Sequence, residues 1–195
     1  MSGRPDLAHG PDGVARCAWV GSDPLQIAYH DTEWGWSVNG EAAWFERLSL
    51  EAFQSGLSWA TVLRKRDGFR RAFAGFDPEL VASFTATDRD RLKADAGIIR
   101  NAAKIAATIG NARAVLDLRE AGGLEALVRA HRPERHTRPS SLAEVPATSP
   151  ESHALARALK RRGFVFVGPT TMYAAMQACG IVDDHVVGCH RAEAG

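Results

Sequence analysis

Apolar residues recur every three or four positions along much of this chain. Phe45, Leu48, Ala52 and Phe53 form one such stripe, and Ile98, Ala102, Ile105, Ala106 and Ile109 form another, which is the spacing of amphipathic helices. The punctuation is helical as well. Asp23-Pro24, Asp77-Pro78 and Ser149-Pro150 each place a capping side chain before a proline at the first helical position, where no N–H is needed. Gly163 and Gly180 stand where helices are expected to stop. Strand signals are nearly absent, and the short run "FVFVG" from Phe164 to Gly168 is predicted to be a connector. Residues 1–14, polar and rich in Gly and Pro, predict a disordered tail. Residues 131–150, rich in Arg, Pro, Ser and Thr, predict a loop that separates two helical lobes. With no internal repeat, the expectation is an all-α fold of many short helices in a single domain over 15–195.

Composition narrows the function classes. A chain of 195 residues can bury a sizeable core. It has no apolar run of membrane-spanning length, and "MSGRPDLAHGPDG" is no signal segment, so a cytoplasmic location is expected. Three cysteines without an export signal argue against a disulfide framework and leave thiols free for other work. The net charge of +1 gives no general attraction to nucleic acid, so such binding must rest on local clusters. Arg64, Lys65, Arg66, Arg70 and Arg71 form one, Lys160, Arg161 and Arg162 a second, and Arg100 with Lys104 a third. Each alone reads equally as a solvated helix face or as compensation of a helix C-terminus.

Four groups of residues carry candidate chemistry. In "DDHVVGCH", His185 and Cys189 lie four apart, a spacing that puts both on one face of a helical turn. Cys17 and His30 in "RCAWVGSDPLQIAYHDTEWG" complete a Cys2His2 set of the kind that closes a tetrahedral structural zinc site. The alternative is two buried thiols and two incidental histidines, and spacing does not decide between them. His190 could replace His185 as a ligand, Cys179 reads as core, and no HExxH pair points to a catalytic zinc.

All five tryptophans, Trp19, Trp34, Trp36, Trp44 and Trp59, lie in the first third of the chain with Tyr29 among them. Aromatic residues fill cores, but this clustering in a Gly-interrupted region also suits stacking on nucleobases and attraction of cations. Glu51 in "LSLEAFQSGLSW" falls on or beside the buried stripe of its helix, where a carboxylate must be paired, for instance with Arg47, or functional. The stretch "LKADAGIIRNAAKIAATIGNA" reads as a helix, a tight turn at Gly97 and a second helix. A helix-hairpin-helix of this kind can offer backbone N–H groups to a phosphate, although an ordinary helical hairpin looks similar.

Taken together, "RCAWVGSDPLQIAYHDTEWG", "LSLEAFQSGLSWATVLRKR", "DAGIIRNAAKIAATIGNARA" and "ALKRRGFVFVGPTTMYAAMQACGIVDDHVVGC" resemble the bacterial DNA-3-methyladenine glycosylase I family, from about Arg16 to Cys189. The resemblance implies a helix-hairpin-helix glycosylase fold and a structural Zn(2+) held by Cys17, His30, His185 and Cys189. It implies a base pocket of Trp19, Tyr29, Trp34, Glu51 and Trp59, with Glu51 in the catalytic role. It further implies that Gly56 and Leu57 fill the gap left in double-stranded DNA when 3-methyladenine is extruded, with Gly97 and Arg100 on the DNA side. One departure is that Gln26 stands where the best-known members carry an aromatic residue. Asp117, downstream of the hairpin, reads as a solvated helix residue, and no lysine is placed as a Schiff-base nucleophile, so a monofunctional hydrolase is expected. Two other readings are consistent with the same residues: a non-enzymatic sensor of alkylated bases, and a zinc-stapled module that binds DNA through its hairpin alone.

Overall fold

The structure, a computed structural model, describes residues 5–192. Two short antiparallel strands, β1 (Leu7–His9) and β2 (Ala15–Cys17), pair with Leu7 opposite Cys17. Helices follow: α1 (Pro24–Thr32), α2 (Glu41–Gln54), α3 (Trp59–Arg64), α4 (Arg66–Ala72), α5 (Pro78–Ala82), α6 (Ala86–Ala94), α7 (Ala102–Leu118), α8 (Gly123–Arg129), α9 (Pro150–Arg161) and α10 (Pro169–Ala178). The three predicted cap-proline pairs open α1, α5 and α9, and in each the side chain of Asp23, Asp77 or Ser149 accepts a backbone N–H of the first turn. Gly163 and Gly180 follow α9 and α10 with positive φ of 85° and 66°, a conformation that ends a helix without steric penalty in glycine. Among the described residues no helix is long and apolar enough to cross a membrane.

The expected disordered tail is corrected from residue 5 onward, while residues 1–4 lie outside the described residues. The Gly and Pro that suggested disorder belong to a hairpin, whose turn is closed by Gly10 and Gly13 N–H groups on Val14 and Gly10 carbonyls. Asp6 anchors this segment further: its carbonyl accepts the Ala18 N–H and its side chain the Leu142 N–H at 2.7 Å.

One large apolar cluster joins Phe45, Leu48 and Phe53 of α2 to Phe69, Phe73 and Phe76, to Ile105, Ile109 and Val115 of α7, and to Leu155, Met172 and Met176 of α9 and α10. The chain on both sides of 131–150 therefore shares one core. A smaller cluster holds the two ends together through Cys17, Val20, Val186, Cys189 and Ala192. The 131–150 segment is irregular apart from a turn at Leu142–Glu144, and it is docked on the C-terminal segment. Arg138 donates to the Asp183 carboxylate at 2.7 Å and to the Ala192 carbonyl, and Val187 N–H donates to the Pro139 carbonyl.

The buried face of α7 differs from the predicted stripe. Ala102 and Ala106 are exposed, and the inward face includes Lys104, Thr108 and Asn111. Each of these polar groups finds a backbone partner, as burial requires. Lys104 Nζ donates to the Phe53 and Ser55 carbonyls, Thr108 to the Lys104 carbonyl, and Asn111 exchanges two hydrogen bonds with Val165. That last pair holds the Phe164–Gly168 connector, which forms no strand.

The turn between α6 and α7 is seated on α4. Lys65 Nζ donates to the Ala96 carbonyl at 2.7 Å, and Gly68 lies so close that a Cβ there would stand 2.3 Å from the Gly97 carbonyl oxygen. Gly68→Ala is thus expected to destabilise the protein by about 2 kcal/mol through overpacking and to lower Tm in calorimetry by about 5 °C. An unchanged Tm would show that the turn is not tightly seated there.

Candidate functional site

A cavity of about 410 Å³ opens between α1, α2, α3, α10 and the 141–145 turn. Trp19 enters it from the turn at Ala18–Val20, Tyr29 from the buried face of α1, Trp34 from just after α1, Glu51 from α2 and Trp59 from the first residue of α3. All five predicted pocket residues therefore meet in one cavity. Tyr29 and Trp59 pack with ring centroids 4.9 Å apart at 42°, and Trp19 meets Trp34 edge-on at 5.1 Å. Of the remaining tryptophans, Trp44 is core and Trp36 is 47% exposed under the guanidinium of Arg191. Gln26 is not part of the lining; its amide donates to the Val20 carbonyl.

Glu51 is 5% exposed. Arg47, one helical turn away, is the partner that sequence spacing offers, but its guanidinium is held by Glu33 at 2.7 Å and lies over the Tyr29 ring. Glu33 is held in turn by two hydrogen bonds from Arg66. Among the described residues no hydrogen bond or ion pair reaches the Glu51 carboxyl. Burial pushes its pKa up to about 8, against the opposing charge of Arg47, so at pH 7 Glu51 is mainly a neutral acid. The Tyr29 hydroxyl is pushed well above its ordinary value by burial and by the charge of Glu51, so it stays protonated as a donor.

The Cys17, His30, His185 and Cys189 side chains converge from both ends of the chain. All four are buried, and their candidate ligand atoms lie within 4.8 Å of one another. The helical turn expected for His185 to Cys189 is corrected: the segment is irregular, bent at Gly188 with φ 88°, and the four-residue spacing is bridged by a Cys189 N–H bond to the Val186 carbonyl. Both ring nitrogens of His185 are buried without a partner, although an imidazole always carries at least one N–H to place. Burial lowers its pKa to about 4, which keeps the ring neutral. Hydrogen bonds from Cys17 and His30 hold the Cys189 thiol far below its ordinary value. A neutral imidazole and a thiolate are the forms that bind a soft cation. His30 turns Nδ1 to Asp31 at 2.8 Å and Nε2 to Cys189 at 3.5 Å, the arrangement that orients a ligating histidine. His190 turns Nε2 to the same Asp31 oxygen that meets His30, at 2.9 Å, and is not part of the four-donor set, where His185 stands.

The two sites share walls. Trp34 packs on His185 with centroids 4.5 Å apart, and Trp19 meets His30 edge-on at 5.6 Å. The metal-type cluster therefore buttresses two of the aromatic walls of the cavity.

Gly56 and Leu57 are not part of the lining but lie in sequence between two residues that are, Gln54 and Trp59. Gly56 has φ 82°, and Leu57 is 42% exposed. Arg100 is exposed beside the α6–α7 turn. Gly97 gives its own N–H to Asp95 at 2.7 Å, and the N–H groups of Ile99 and Arg100 donate to nothing among the described residues. Much of the basic character is engaged: Arg64, Arg66 and Arg70 are paired with Asp23, Glu33 and Glu46, Lys65 bonds the Ala96 carbonyl, and Lys104 is buried, whereas Arg71, Arg100, Lys160, Arg161 and Arg162 are exposed. Cys179 is core, its thiol pushed up to about 12 by burial, and Asp117 is exposed on α7.

Six lining residues escaped the sequence reading: Gln54, Leu142, Val145, Ala174, Gln177 and Asp184. Gln54 lies three positions after Glu51 on the same helix face and was open to discovery by periodicity. Nothing local distinguishes Leu142 or Val145 within a polar loop. Asp184 is buried, and one of its oxygens accepts from the Tyr173 hydroxyl and the Gln177 amide.

A cavity walled by indole and phenol rings around a bond-free acid has the chemistry to stack on a flat, electron-poor ring. Residues 19–192 match the methyladenine glycosylase family. The chain belongs to that family. It is 50% identical to DNA-3-methyladenine glycosylase 1 of Escherichia coli K12 over 181 residues, covering 90% of this chain and 96% of the relative. A crystal structure of 3-methyladenine DNA glycosylase I is 47% identical, superposes with a TM-score of 0.86 and covers 90% of this chain and 98% of its own. The Staphylococcus aureus 3-methyladenine DNA glycosylase I, solved to explain 3-methyladenine recognition, is 31% identical with a TM-score of 0.85, covering 90% and 95% of the two chains.

The raised pKa of Glu51 has a consequence for stability. Its proton is favoured in the fold, so the contribution is fully present below the ordinary value of 4.5 and is lost as pH rises to about 8. Glu51→Gln removes the titration. Relative to this variant, the parent is expected to lose stability in urea melts between pH 5 and 8, by a few kcal/mol in all, and to level off above. A pH-independent difference would show that Glu51 ionises freely.

Proposed function

We propose that this protein extrudes 3-methyladenine from alkylated double-stranded DNA and hydrolyses its N-glycosidic bond, as a monofunctional glycosylase of base excision repair. The observation that carries this reading is Glu51, buried without a bonded partner in an aromatic cavity, in a chain of the methyladenine glycosylase family.

A purine alkylated at N3 within DNA is positively charged, so it is already a good leaving group and needs little general-acid help. Selectivity then resides in binding. Indole and phenol faces attract a cationic ring, by about 1–2 kcal/mol when water is excluded. The fixed positive charge also favours the carboxylate form of Glu51, which loses its proton to solvent and gains a Coulombic partner in a low-dielectric site. Unmodified adenine is neutral and obtains neither term. Extrusion costs a few kcal/mol of unstacking, a size that one or two aromatic contacts can offset. Glu51 is the residue assigned to base recognition and catalysis, with Trp19, Tyr29, Trp34 and Trp59 as base contacts. No lysine lines the cavity, which supports hydrolysis without a Schiff base.

On the DNA side, Gly56 and Leu57 fill the space left by the extruded base. The α6–α7 unit acts as the helix-hairpin-helix, with Gly97 shaping the turn and the Ile99 and Arg100 N–H groups and the Arg100 side chain facing phosphate. The Cys17, His30, His185 and Cys189 donors suit a structural zinc: two thiols and two imidazoles make up a tetrahedral S2N2 set, their candidate ligand atoms lie within 4.8 Å of one another, and His185 is otherwise unsatisfied. Bound there, zinc supplies a cross-link between the chain ends and no reaction chemistry.

Single-turnover release of free 3-methyladenine from methylated duplex DNA is the decisive assay. Glu51→Gln is expected to lower the rate at least 100-fold while the variant stays folded; binding of damaged DNA without base release by the parent protein would leave the sensor reading in its place. Elemental analysis is expected to find one zinc per chain, and Cys189→Ser to remove it and lower Tm by more than 10 °C. Active protein free of metal would refute the staple.

A further inference from the structure

Lys104 is 7% exposed, and its ammonium donates to the Phe53 carbonyl at 2.9 Å and the Ser55 carbonyl at 2.6 Å. Asn101, the N-cap of α7, accepts the Lys104 N–H, so the lysine sits in the first turn of that helix. A buried ammonium is retained only where its hydrogen bonds are met, and two of its three donors are used on the end of α2.

The chain beyond that end is a two-peptide turn. Leu57 N–H donates to the Gln54 carbonyl, Ser55 has φ −47° and ψ 114°, and Gly56 has φ 82°. These angles are those of a type II turn, in which the middle peptide can flip towards type I. The Ser55 carbonyl belongs to that peptide. Its hydrogen bond to Lys104 holds that peptide in the type II orientation and ties the turn that carries Leu57 to the first turn of α7.

We infer that Lys104 is a positioning residue that fixes the Gly56–Leu57 turn relative to the α6–α7 hairpin, so that contact with the DNA backbone and insertion beside the extruded base occur in register. This rests on the proposed glycosylase function and on the role assigned there to Leu57. Lys104 does not line the cavity, and its effect is on extrusion from a paired duplex, not on recognition of the base once extruded.

The test compares single-turnover excision of 3-methyladenine placed opposite thymine with excision opposite an abasic analogue, where less unstacking is needed, alongside binding of free 3-methyladenine. Lys104→Met is expected to lose at least tenfold on the paired substrate and less than threefold on the abasic one, with free-base affinity within twofold of the parent. Lys104→Arg, which keeps charge and donors, is expected to recover most of the paired activity. If the methionine variant does not fold, Lys104→Gln replaces it with the same expectation. Equal losses on both substrates, or unchanged excision on both, overturn the inference. Leu57→Ala is run in parallel: if it leaves paired excision unchanged, the role of Leu57 has failed, whereas a loss in Leu57→Ala without one in the lysine variant counts against Lys104 alone.

Discussion

The structure depends on keeping one carboxyl group out of water without giving it a bonded partner. An acid in that position destabilises the fold whenever it ionises, and the simplest relief, an ion pair with the arginine one turn earlier, is available on α2 itself. It is withheld because Glu33 and Arg66 clamp Arg47 against Tyr29. The clamp has two effects on the cavity. It leaves Glu51 without a bonded partner, and it supports Tyr29 from behind with a cation that is not part of the pocket lining.

A pocket of this kind works only if its walls are stiff, since a mobile indole neither excludes water nor holds a stacking geometry. The chain solves this through segments distant in sequence. Trp34 and Trp19 lean on His185 and His30, so the cluster that joins the chain ends also braces the cavity. Asp31 ties the same region to Arg16 and His190. The small apolar cluster around Cys17, Val20 and Val186 and the four converging donor side chains thus occupy the same place, where the two terminal segments meet.

Much of this was legible in the sequence. The cap-proline pairs, the glycine stops and the α2 stripe report local chemistry, and local chemistry decides where these helices begin and end. The four clustered donors were reachable because rare residue types crowd into few segments, whereas the five pocket residues came from the family resemblance, since crowding alone does not separate Trp19, Trp34 and Trp59 from Trp36 and Trp44. Three features were not legible. The diversion of Arg47 depends on Glu33, fourteen positions away and not on α2. The inward rotation of α7 depends on backbone carbonyls waiting for Lys104, Thr108 and Asn111, which no hydropathy pattern reveals. The hairpin near the N-terminus was hidden because turn-forming and disordered segments draw on the same residues.

The 131–150 segment shows how far composition can mislead about role. Its polarity reads as a spacer, and a spacer would leave the cavity open on that side. Instead Arg138 and His136 meet Asp183 and Asp184, Asp6 receives the Leu142 N–H, and the result carries Leu142 and Val145 into the lining. The polar residues of the loop are therefore the means by which two apolar side chains are delivered to a wall that no helix reaches. Since Asp183 and Asp184 directly precede His185, whatever fixes the metal-type cluster also fixes the anchor of this wall, and the aromatic side and the loop side of the cavity are held by the same few residues at the end of the chain.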